Sequence, residues 1–228
     1  MEHQRLTGRQ IKTKILSLFR QDDFDHSLTI IRRLPSRQVV NPLFSFLYHI
    51  DEQVRWRAII TMGDVVAGMV ETDPESARVV VRRLMWNLND ESGGIGWGSP
   101  EAMGEILARS PFLASEFSHI LVSYIRKDMN YLEHAGLQRG LLWGLARLAE
   151  RQPALILDAV PYLLTFTQVT DPVMRGLAAK AIAAIGGDPW RDIHGRLHRD
   201  SARLNIWING RMRETTVADL VSQPGRIS

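Results

Sequence analysis

The chain has 228 residues, 45% hydrophobic and 23% charged, proportions that exclude extensive disorder and supply enough apolar surface for a core that needs no metal or disulfide. Cysteine is absent, which excludes disulfides, thiolate metal sites and cysteine nucleophiles together. The net charge of +3 is unevenly spread, with 8 basic and 4 acidic residues over 1–50, 10 and 14 over 51–150, and 10 and 7 over 151–228. Basic ends around an acidic middle do not make the continuous stripe that grips nucleic-acid phosphates.

The first ten residues hold no apolar run of signal-peptide length, and nowhere do 18 apolar residues follow one another. A soluble, unexported protein of a reducing cytoplasm, without a membrane span, is expected.

Residues 1–35 read as an N-terminal helical cap. Ile11, Ile15, Leu16 and Phe19 fall at helical spacing with basic residues opposite, and a second short helix from Asp25 stops before Pro35. From residue 36 a larger period begins. A helix over 39–49 turns Val40, Leu43, Phe44, Leu47 and Tyr48 inward, and a second follows Asp51 with Val54, Ala58, Ile59, Met62 and Val66 on one side. Asp73-Pro74 opens the next, with Val79, Val80, Leu84 and Leu88 as its core face. Further first helices are expected over 116–124 and 154–166, the latter kinked or restarted at Pro161, and second helices over 133–148 and 173–185.

Successive second helices align with small residues at Gly63, Gly104, Gly144 and Ala184. A period near 40 with two helices per unit is the signature of an α-solenoid. A glycine inside a helix costs about 1 kcal/mol relative to alanine, so its recurrence predicts close packing between neighbouring second helices. The expected fold is all-α, an α-α superhelix of about four helix pairs over 36–187, followed over 188–228 by a helix, a β-hairpin and a tail. In that tail Leu204–Ile208 and Arg211–Thr215 read as strands around an Asn209-Gly210 turn. The hairpin is expected against the last helices, covering the open end of the stack, with a partner-binding strand edge as the alternative. Thr216-Val217-Ala218-Asp219 reads as a capped helical turn.

The turns Asp51-Glu52-Gln53-Val54-Arg55-Trp56-Arg57-Ala58 and Asp171-Pro172-Val173-Met174-Arg175-Gly176-Leu177-Ala178 share an Asp, an Arg four residues on and an Ala three beyond. Here the chain resembles the HEAT-repeat family, in the bacterial form also seen in phycobilin lyases. The resemblance implies that Asp51 and Asp171 cap second helices and that Arg55 and Arg175 take part in a ladder between units. Gly96 and Gly136 stand at the Arg position in the two middle units.

Residues 86–105 depart most from the repeat, with Gly94-Ile95-Gly96-Trp97-Gly98 ahead of a helix start at Ser99-Pro100-Glu101 that reads as capped. The passage lacks the Lys-Ser/Thr of a phosphate loop and follows a helix where a dinucleotide fingerprint needs a strand. Glycines and a helix start can cradle an anion, but Asp90, Glu91, Glu101 and Glu105 repel phosphate and favour a cationic or hydrogen-bonding ligand. The passage also resembles one in an uncharacterised group of bacterial HEAT-repeat proteins, which implies no activity. If second helices line the concave face, as the HEAT resemblance implies, then Arg55, Arg57, Trp97, Glu101, Glu133, Arg139 and Trp143 converge on one groove. With Glu91, Glu105 and Arg175 these are the candidate partner-binding residues. A non-catalytic scaffold or adaptor for a protein or peptide is the leading expectation, with no cofactor or metal. His194 and His198, four apart, lack the further ligand and glutamate of a zinc site. The competing expectation is a nucleic-acid-binding or base-repair enzyme using the same groove, since the arrangement resembles the alkylpurine DNA glycosylases built from HEAT-like repeats.

Overall fold

The computed structural model describes residues 6–89 and 96–222. Helices α1 (Gly8–Phe19) and α2 (Phe24–Arg32) precede the pairs α3 (Ser36–Phe46) and α4 (Glu52–Met69), α5 (Pro74–Asn89) and α6 (Ser99–Arg109), and α7 (Pro111–Ser123) and α8 (Ala135–Ala149). A 3-10 segment (Pro153–Ala159) with α9 (Val160–Phe166) stands before α10 (Pro172–Ile185), and then come α11 (Asp188–Leu197), β1 (Arg203–Ile208), β2 (Arg211–Thr216) and α12 (Val217–Ser222). The fold is all-α with a small C-terminal hairpin, and one continuous apolar core runs from Ile11 to Val221.

The spine of the stack is the row α4, α6, α8 and α10, each packed on the next. The recurring small residues explain how closely they lie. A methyl group at Gly104 would overlap the backbone of Gly144, and one at Gly144 would meet the Pro100 carbonyl oxygen at 2.6 Å. On α8, Gly136, Gly140 and Gly144 fall one turn apart and form a flat strip on which α6 rests. Asp51 and Asp171 cap their helices as the resemblance implied, each accepting from two backbone amides (Gln53 and Val54; Val173 and Met174).

Several local expectations need correction. Helix α3 ends at Phe46, so Tyr48 lies beyond it and is exposed rather than inward. Helix α5 is rotated so that Ala77, Val81 and Leu84 are fully buried while Val79 faces outward. The cap of α6 is not Ser99 but Gly98, whose φ of 74° suits a residue without a Cβ, and the Ser99 hydroxyl is buried without a hydrogen-bond partner. The restart expected at Pro161 is present, since α9 begins at Val160 and carries Pro161 in its first turn, where its missing amide is harmless, but a further break that was not expected lies at Ile156 (φ −132°).

The hairpin forms in the expected register, Leu204 opposite Thr215 and Trp207 opposite Met212, around Asn209 (φ 50°) and Gly210 (φ 76°). Thr216 caps the short α12 by accepting from the Asp219 amide. Its position exceeds the expectation. Beyond lying against α10, it sends Trp207 across the row of second helices to stack on Trp56 of α4, with ring centroids 5.7 Å apart and planes within 10°. Trp143 of α8 completes the cluster, 4.8 Å from Trp56, and its indole N–H donates to the Trp207 carbonyl at 3.2 Å.

Candidate functional site

Between that hairpin and the N-terminal halves of the second helices lies a cavity of about 580 Å³, within the range of small-molecule sites. Each second helix contributes to it: Arg55 and Trp56 from α4, Glu101 from α6, Arg139 and Trp143 from α8, and Val173 and Leu177 from α10. Trp97 and Gly98 supply the floor before α6, Ile206 and Met212 the hairpin wall. Tyr48 and Ile50 stand at the rim, and Ile50 is 97% exposed.

The departure from the repeat now has a physical reason. Where the outer units carry Arg55 and Arg175, α8 carries Gly136, and a Cβ there would strike the ring of Trp97. One turn on, a Cβ at Gly140 would strike the carboxyl of Glu101. The two glycines therefore make room for an indole and a carboxyl, side by side, on the surface of α8. Trp97 also packs against His134, edge to face at 4.9 Å.

Glu101 is the chemically distinctive group. Its Oε2 atom is enclosed and has no hydrogen-bond partner, and burial pushes its carboxyl up to about 7, partly offset by its own backbone amide and by Arg55. The cationic walls are already matched elsewhere, Arg55 to Glu52 at 2.9 Å and Arg139 to Asp171 at 2.7 Å.

Of the residues singled out in the sequence, Arg55, Trp97, Glu101, Arg139 and Trp143 meet at this cavity. Glu91 lies outside the described residues. The others are placed elsewhere. Arg57 is buried under Phe24 and donates to the Phe19 and Gln21 carbonyls, tying α1 and α2 to α4. Glu105 is fully buried and joins Arg109 at 2.5 Å to Arg147 of α8 at 2.7 Å, while Arg109 also reaches Asp64 of α4. Glu133 is exposed in the loop before α8. Arg175 binds Asp200 at 2.8 Å and the carbonyls of Val169 and Thr170, and it holds the Asp200 carboxyl below the usual range. Arg139 to Asp171 and Arg175 to Asp200 are thus successive links from one turn to the next.

Sequence reasoning missed the hairpin's part in the site. One signal was available: Ile206 and Trp207 are consecutive apolar residues in a strand, where alternation expects only one to be buried, and both are.

A scan against protein-family models finds no match. An archaeal protein of Archaeoglobus fulgidus, described as an uncharacterized protein, is 28% identical over 184 residues, covering 78% of this chain and 91% of its own. Among solved structures, two engineered proteins of the Northeast Structural Genomics Consortium are each 18% identical. One has a TM-score of 0.45 and covers 84% of this chain and 90% of its own; the other has 0.47, covering 85% and 55%. No helix among the described residues is long and apolar enough to cross a membrane.

Proposed function

We propose that the chain is a HEAT-type scaffold of the cytoplasm that binds a protein or peptide partner along its second helices and takes one partner side chain into the cavity between them and the hairpin. The observation that carries this reading is the convergence of all four second helices on Trp97 and the unpartnered Glu101. The period near 40, the Asp caps and the Arg139–Asp171 and Arg175–Asp200 links support the HEAT assignment. Exposed Tyr48 and Ile50 at the rim offer apolar area for the flanking parts of a peptide.

A peptide library displayed against the purified chain tests it. Wild type is expected to enrich a sequence motif that Trp97→Ala, at unchanged folding, no longer selects. Enrichment of the same motif by both would overturn the reading.

A second reading, a base-processing enzyme on DNA, draws on the indole and carboxyl lying side by side at Trp97 and Glu101. Salt-dependent duplex binding that Trp97→Ala abolishes is its expected mark; no binding at low salt removes it.

A further inference from the structure

We propose that the group received at the Glu101 cavity is an organic cation, an ammonium or alkylammonium head, seated against the indoles and charge-paired with the Glu101 carboxylate. The inference rests on the cavity being the binding site proposed above and names the chemistry of its ligand. Three observations lead to it. First, the walls are aromatic: Trp97, partly exposed, lines the space together with the more deeply buried Trp56 and Trp143, and the negative face of an indole attracts cations. Second, Glu101 Oε2 is the one charged-group atom among those lining residues that is enclosed without a hydrogen-bond partner, so the ionised carboxyl calls for a positive charge placed beside it in the cavity. Third, the cations already present are spoken for, since Arg55 and Arg139 bind Glu52 and Asp171. An anionic ligand would have to share an arginine with Glu52 or Asp171 and would face Glu101 as well.

The charged and titratable groups around Glu101 are Tyr48, His49, Glu52 and Arg55 from the α3–α4 turn and α4, and Arg139 from α8, with His134 against Trp97; the lining residues of α10 and the hairpin are uncharged. Binding of a cation requires the ionised carboxyl, so affinity rises with pH as Glu101 gives up its proton near 7.

The source of the head group is either a free small molecule or a lysine side chain of a partner, and the probes separate them. Choline and its uncharged isostere 3,3-dimethylbutanol serve as the small pair. A short peptide centred on lysine or trimethyllysine, and the same peptide with norleucine, serve as the peptide set. Binding to the full chain is followed by indole fluorescence and calorimetry at several pH values. The cation in at least one set is expected to bind about tenfold or more tightly than its neutral counterpart. Glu101→Gln is expected to abolish both that preference and its rise with pH. A tight small-molecule cation with no gain for any peptide keeps this inference and removes the peptide reading. Peptides that bind equally with lysine and norleucine, while choline shows no preference over its isostere, keep the peptide reading and remove this one. No binding of any cation at millimolar concentration, or a preference undiminished in Glu101→Gln, overturns it.

Discussion

At the scale of single residues, Glu101 is held in a state that costs the fold something. The folded chain grips this proton more tightly than the unfolded chain, whose glutamate titrates near its ordinary value, because burial pushes the carboxyl up to about 7. Its contribution to stability is therefore fully present below the unfolded pKa of about 4.3 and is lost as pH rises through about 7, a loss on the order of 3 kcal/mol. Urea unfolding from about pH 5 to about pH 8 is expected to show wild type losing stability across that window and Glu101→Gln losing much less. Parallel curves would show that the carboxyl is not buried as described. Glu105 makes the contrast. It is fully buried, more so than Glu101 as a whole residue, but lies between Arg109 and Arg147, and such pairing is how an interior charge is normally accommodated. Two glutamates one turn apart on α6 thus serve different ends, one built into the scaffold and one left facing a cavity.

At the scale of elements, contacts between second helices set the tolerances. Gly104→Ala is expected to destabilise by about 2 kcal/mol, because the group it meets is the Gly144 backbone and cannot swing aside. Gly68→Ala, on the exposed side of α4 with nothing within 4 Å, is expected to stabilise by about 0.5 kcal/mol through helix propensity alone. Equal effects in denaturant titrations would mean that the small residues are not packing devices. The repeat of these residues, the Asp caps and the Asn209-Gly210 turn were legible because each is a local rule that one element satisfies by itself. The cap of α6 was misread, since Ser99 has the right side chain but its buried place in the stack leaves the backbone turn to Gly98. The partners of Glu105 were not legible, because Arg147 lies 42 positions away and only the stacking of α6 on α8 brings it near. About half of the candidate site was readable, namely the residues that share a face of neighbouring second helices; the hairpin wall was not, because nothing local says where a hairpin will dock.

At the scale of the whole molecule, the Trp56–Trp207–Trp143 cluster alters how a stack of repeats behaves. An open solenoid has only neighbour-to-neighbour contacts, so damage at one end stays there. Here the hairpin after the last unit touches the first long helix. Trp207→Ala is expected to cost about 3–5 kcal/mol, and hydrogen exchange is expected to quicken in α4 as well as in α10 to α12. Quickening confined to α10 to α12 would mean that the stack on Trp56 transmits nothing. The same contact has a bearing on how the chain is made. Some 150 residues separate Trp56 from Trp207, and at roughly 5–20 residues per second they take on the order of ten seconds to emerge from a ribosome. Throughout that interval the indole of α4, joined for its later part by that of α8, lacks the hairpin's cover, so the nascent chain offers an aromatic surface to chaperones and neighbours. Its cavity acquires the hairpin wall only after all four second helices have been made.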